Sequence, residues 1–119
     1  MTTLLFLDLT VIKGPNLGMR YSVPEHSFRI LGRYEKGFIA DEHILGPDLQ
    51  ELVLNCIPET IKQNRGPDIL LDDLAMALFQ GLFCFHRKQS FWFDFSNEQK
   101  QVLKPEDLLA IAGTTFKVS

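Results

Sequence analysis

The sequence predicts an all-β sandwich carrying one helical insertion, and three observations carry that reading. Short runs with a two-residue apolar period recur between turns rich in Gly and Pro. Six of the ten phenylalanines lie between Phe79 and Phe95, a density that suits cross-strand pairing and a filled core. One stretch, Leu49, Leu52, Val53 and Cys56, has the i, i+3, i+4, i+7 spacing of a helix with a single apolar stripe.

Taken in order, Leu5, Leu7, Leu9 and Val11 alternate with Phe6, Asp8 and Thr10, which predicts a strand. Gly14 to Gly18 reads as a turn, and Met19 to Val23 as the returning strand of a hairpin. Phe28 to Leu31 is a further short strand that ends at Gly32-Arg33, while Tyr34 to Ala40 is ambiguous. Gly46-Pro47 opens the helix, near residues 48–57, with Pro47 and Asp48 suiting its first turn. Pro58 closes it, because proline lacks the amide hydrogen that a helix interior needs. A second short turn starts at Pro58. Asp68 to Leu71 is short and apolar. Leu74 to Phe79 is ambiguous, since its Ala, Met and Leu favour a helix. Leu82 to Phe85 and Phe91 to Phe95 flank a polar hairpin connection, residues 86–90. Leu108 to Ala112 and Thr115 to Val118 form a closing pair around Gly113-Thr114.

The 119 residues carry a formal charge of −3. A chain of this size buries roughly two-thirds of its unfolded surface, enough for one core. The prediction is therefore a single domain over residues 1–119, with an insertion at 34–67, and a large two-domain enzyme is excluded. Lys and Arg never form a run longer than Arg87-Lys88, so the basic stripe that tracks phosphates is missing and nucleic acid is not an expected partner. No stretch approaches the ~20 apolar residues of a membrane span. Asp8 interrupts the opening apolar run, which also lacks a basic start, so neither membrane insertion nor a signal peptide is expected. Cys56 and Cys84 make no disulfide framework, which fits a reducing, cytoplasmic setting.

Catalytic chemistry finds little support. Cys84 and His86 share a strand face, but residues two apart sit roughly 6.5 Å from each other, too far for a nucleophile–base pair. His26, His43 and His86 are scattered and show no zinc spacing, so neither a metal nor a cofactor is expected. Asp72 and Asp73 would face opposite sides of a strand and make no shared-proton dyad. Asp94 reads as an end-of-strand carboxylate bonding loop N–H groups. Arg87 and Lys88 read as a solubilising hairpin tip.

The order of elements resembles the forkhead-associated (FHA) domain across most of the chain. Residues 9–33, LTVIKGPNLGMRYSVPEHSFRILGR, look like that family's first hairpin and the strand leading into its Gly-Arg pair, here Gly32-Arg33. Asp68 to Asp73 resembles the stretch before the family's recognition loop. Trp92-Phe93-Asp94 resembles its later aromatic-to-Asp strand, and Leu103 to Gly113 with Thr115 to Val118 its closing turn and strands. The resemblance implies an antiparallel β-sandwich of the SMAD/FHA type and recognition of phosphothreonine peptides, carried in the family by the Arg after Gly, a Ser-Arg-x-His loop motif and a later Ser-x-Asn-Gly.

Here the motif is degenerate. Met76 and Ala77 take the places of Ser-Arg, Phe79 takes that of the structural His, and Glu98 follows Ser96-Asn97 where Gly is expected. A phosphoryl group brings about −1.5 to −2 charge and three strong acceptors, and Met76 and Ala77 offer no side-chain donor. The expectation is a non-catalytic interaction module for a protein or peptide partner, independent of phosphate. Arg33, Ser96 and Asn97 are candidate ligand-binding residues, and Met76, Ala77, Leu78 and Phe79 a candidate interaction surface. Two alternatives stand beside it: phosphothreonine-peptide binding through Arg33, Ser96 and Asn97, and a structural subunit of a bacterial secretion or signalling assembly. The insertion helix either caps the sandwich or forms a partner surface, with the first favoured.

Overall fold

The computed structural model describes residues 5–35 and 45–119. Among these residues nine strands form two sheets: β1 (Phe6–Lys13), β2 (Arg20–Pro24), β3 (Ser27–Arg33), β4 (Ile69–Leu71), β5 (Gly81–His86), β6 (Gln89–Asp94), β7 (Gln99–Leu103), β8 (Leu108–Ile111) and β9 (Thr114–Val118). The four-stranded sheet runs β2-β1-β9-β8, and the five-stranded sheet runs β4-β3-β5-β6-β7. The expected β-sandwich is present. The ambiguous segment at Tyr34 to Ala40 falls mostly outside the described residues.

The pairing is not wholly antiparallel, as the sequence reading had it. Leu31, Gly32 and Arg33 pair in parallel with Ile69, Leu70 and Leu71. Neighbouring parallel strands need a crossover of a dozen or more residues, and the segment between Arg33 and Ile69 is that crossover. It contains α1 (Pro47–Cys56) and a 3-10 turn at Glu59–Ile61. Pro47 occupies the first turn of α1 with Asp48 beside it, as a helix start favours. Arg65 grips the buried Asp68 carboxylate through Nε at 3.1 Å and Nη2 at 2.7 Å, fixing the entry into β4.

Two apolar layers follow from this arrangement. Between the sheets lie Leu7, Leu9, Val11, Leu31, Leu71, Phe83, Trp92, Leu109, Phe116 and Val118. Phe83 of one sheet meets Phe116 of the other edge-on, with ring centroids 5.5 Å apart. On the outer face of the five-stranded sheet, Phe28, Ile30, Leu82, Cys84, Phe91 and Phe93 lie under Val53, Ile57 and Ile61 of the crossover. The helix therefore packs on its own domain. Because β5 is covered on both faces, its first five residues, GLFCF, are all buried and form an apolar run rather than an alternating one.

Strand β7 was not anticipated. Gln99 to Val102 are exposed and only Leu103 is buried, so this edge strand carries almost no alternation. The segment Leu74 to Phe79 is neither helix nor strand but a loop, because tertiary contacts override its helix propensity.

Those contacts centre on Asp73, which is 2% exposed. Its Oδ1 accepts from the Ala75 amide at 3.0 Å. Its Oδ2 accepts from the Gly113 amide at 2.9 Å and the Thr114 hydroxyl at 2.8 Å. One carboxylate thus ties the β4–β5 loop to the β8–β9 turn. Gly14 backs that turn: it has φ +117°, and an added Cβ would lie 2.7 Å from the Gly113 carbonyl oxygen.

Replacing Asp73 with Ala would leave two amides and a hydroxyl without their acceptor in a buried setting, and a charge-assisted hydrogen bond is worth about 1.5–3 kcal/mol. Asp73→Ala is expected to lower stability by about 3 kcal/mol, and Thr114→Val by about 1 kcal/mol. Denaturant unfolding checks both; similar midpoints for Asp73→Ala and the parent would remove Asp73 from this role.

Candidate functional site

The candidate residues gather at one end of the five-stranded sheet. Leu31 of β3 pairs with Gly81 of β5, and Gly81 pairs with Asp94 of β6, which sets a row across three neighbouring strands. Arg33 lies two residues beyond that row on β3, and Ser96 two beyond it after β6. The 72–80 loop crosses between them.

This loop rests directly on Gly32. A Cβ at that position would stand 1.9 Å from the Leu78 carbonyl oxygen, so no larger residue fits without moving the loop. The Arg33 amide donates to the Ala77 carbonyl at 3.0 Å. The Arg33 guanidinium donates through Nη1 to the Met76 carbonyl at 3.3 Å and through Nη2 to Glu35 Oε1 at 2.8 Å. Its charge is therefore partnered by an adjacent carboxylate.

The four loop residues do not share one surface. Met76 is 1% exposed and sits in the core between the sheets, so the surface expected to include it does not. The reason is the Asp73 turn, in which the Met76 amide donates to the Asp73 carbonyl at 3.0 Å and its neighbours are drawn inward. Phe79 packs half-buried against the helix-side layer, Leu78 is half-buried and Ala77 is exposed. Among the described residues the most exposed large apolar side chain is Leu74, at 91%, just outside the four candidate loop residues. It follows inward-pointing Asp73, which turns it toward solvent.

Gln80 joins the two halves of the site. Its Oε1 accepts from the Ala77 amide at 3.0 Å, and its Nε2 reaches both Asp94 oxygens at 3.4 Å. Asp94 Oδ1 also accepts from the Ser96 amide at 2.8 Å and from the Ser96 hydroxyl. This is the carboxylate-to-loop bonding expected of Asp94. Asn97 Oδ1 accepts from the Gln99 amide at 2.9 Å, closing the turn into β7. Ser96 and Asn97 thus bond local backbone and a neighbouring carboxylate, the habit of turn residues. Gln80 gave no sequence signal, because its role depends on which loops meet.

The thiols sit apart from this end. Burial, then the neighbouring Cys56, pushes Cys84 up to about 12, and burial pushes Cys56 up to about 11, so neither supplies the thiolate a nucleophile requires. Among the described residues no three metal-ligating side chains converge, and no helix is long and apolar enough to cross a membrane.

Neither a family model nor a curated protein matches the amino-acid sequence. Solved structures do match the fold. The FHA domain of an Arabidopsis thaliana hypothetical protein superposes with a TM-score of 0.65 at 13% identity, covering 99% of this chain and 90% of that one. The FHA domain of the CT664 protein from Chlamydia trachomatis gives 0.60 at 14% identity, covering 96% of each chain. An FHA domain studied for phosphothreonine-dependent interactions gives 0.58 at 13% identity, covering 96% of this chain and 95% of that one. Two stacked sheets in this order are the forkhead-associated fold, and this chain has it.

Proposed function

We propose that this domain is a non-catalytic protein-interaction module whose recognition end works without phosphate. The observation that carries the reading is the state of the donors at that end. Arg33 is paired with Glu35, both Ser96 donors point to Asp94, and the loop between them exposes Leu74 and Ala77. A phosphoryl dianion needs several converging donors, and it would approach Glu35 and Asp94 as well as Arg33. An exposed leucine on a clamped loop is open to an apolar side chain of a protein partner instead.

One fold neighbour is described by its phosphothreonine-dependent interactions, which keeps a second reading in play: phosphothreonine binding through Arg33, Ser96 and Asn97 after Glu35 and Asp94 release them. Membership of a secretion or signalling assembly has no feature of this chain behind it.

Backbone-amide NMR with matched phosphothreonine and unphosphorylated peptides separates the readings. The expected result is the same response to both peptides, with no phosphate-dependent shifts at Arg33, Ser96 or Asn97. A phosphate-dependent shift that disappears in Arg33→Ala would establish the second reading instead. Gly32→Ala tests the loop seat. An added methyl against a backbone carbonyl is expected to cost about 1–3 kcal/mol and to move the amides of Ala77 to Phe79. Unchanged amide positions there would show that the loop is not held by Gly32.

A further inference from the structure

At the opposite end of the five-stranded sheet two histidines face each other. His26 lies in the β2–β3 turn and His86 ends β5, and their Nδ1 atoms are 3.0 Å apart with the rings edge-on. The turn is anchored independently of the rings: the His26 amide donates to the Phe85 carbonyl at 2.7 Å, and Asn64 Nδ2 donates to the His26 carbonyl at 2.9 Å. His26 holds a left-handed backbone, φ 65°, to reach this position. Its other ring nitrogen, Nε2, lies 3.1 Å from Glu25 Oε1.

A gap of 3.0 Å between ring nitrogens holds one proton, not two. A neutral imidazole has one donor and one acceptor nitrogen, and an imidazolium has two donors. With both rings neutral, one Nδ1–H points at a bare Nδ1. With His26 charged and bonded to Glu25, its Nδ1–H still has the bare Nδ1 of His86 to meet. With both charged, N–H faces N–H and like charges meet.

We propose that His26 and His86 form a proton-operated clasp. It holds the β2–β3 turn to the β5–β6 hairpin while the pair carries at most one positive charge, and it opens when both rings are charged. The charged and titratable surroundings point the same way. His86 lines a cavity of about 350 Å³ with Cys56 of α1 and Lys100 of β7, and Arg87 and Lys88 form the adjoining hairpin turn. Burial, then His26, then Arg87 hold His86 below the usual imidazole range, with Glu25 opposing. The Cys56 thiol, pushed up to about 11, stays uncharged. Opening therefore adds a second cation to a cavity that already holds Lys100. The sign of the linkage follows: below about pH 6.5 the unfolded chain takes up the His86 proton before the folded one does, so stability falls as the pH drops.

Nitrogen-15 imidazole NMR between pH 8 and pH 5 tests the clasp on the whole chain. At pH 7.5 one Nδ1 of the pair should carry a proton and the other should be bare. The His86 midpoint should lie below its value in His26→Asn, a substitution that suits the left-handed backbone. The amides of His26, Phe85 and Arg87 should move with the His86 step. Two bare Nδ1 atoms at pH 7.5, or the same His86 midpoint in both proteins, would overturn the proposal. The first of these is read in the unaltered chain and does not depend on the variant folding.

Discussion

A buried carboxylate in a dry interior must have its acceptor sites filled, or its desolvation goes uncompensated. Asp73 meets that demand with two backbone amides and a hydroxyl drawn from two separate loops. The consequence is geometric. The β4–β5 loop is pulled onto the β8–β9 turn at one side and lies against Gly32 at the other, so its path is fixed at both ends of a few residues. Met76 is drawn into the core and Leu74 is left outside. This end of the five-stranded sheet owes its shape to that constraint.

The architecture was legible wherever burial is one-sided or total. Leu7, Leu9 and Val11 alternate because β1 faces the core on one side. The runs at β5 and β6 are continuous because helix and sheet cover both faces. The stripe Leu49, Val53 and Cys56 belongs to the helix that provides this cover. Edge strand β7 escaped notice, since a strand exposed along most of its length leaves no apolar period to read. The parallel register of β4 was also hidden, because three residues carry no sign of direction; only the length of the crossover pointed to it.

The site was legible in part. Gly32-Arg33 could be singled out only through the resemblance to the family's Gly-Arg pair; the structure supplies the physical reason, a backbone carbonyl against Gly32 and an anchored guanidinium. Asp94 could be read as an end-of-strand acceptor because it directly follows the apolar run Phe91-Trp92-Phe93. Asp73 could not, because its partners lie 40 and 41 positions away in sequence. Gln80 and Leu74 were silent likewise: one acts by joining two loops that meet only in the fold, and the other is exposed only because its neighbour is buried.

The donors at this end of the sheet also bear on how a dianion would fare there. Two of the candidate side chains there already have a carboxylate partner, Arg33 with Glu35 and Ser96 with Asp94. A ligand would have to break those bonds, leave two carboxylates nearby without their partners, and still recover its own hydration. Exposed pairs of this kind are individually worth only about 0–1 kcal/mol, so the larger obstacle is that the displaced carboxylates would then repel the incoming charge. An apolar contact at Leu74 breaks none of them and removes exposed hydrocarbon from water. Under the proposed reading, a partner therefore meets this end through that apolar contact rather than through a phosphate.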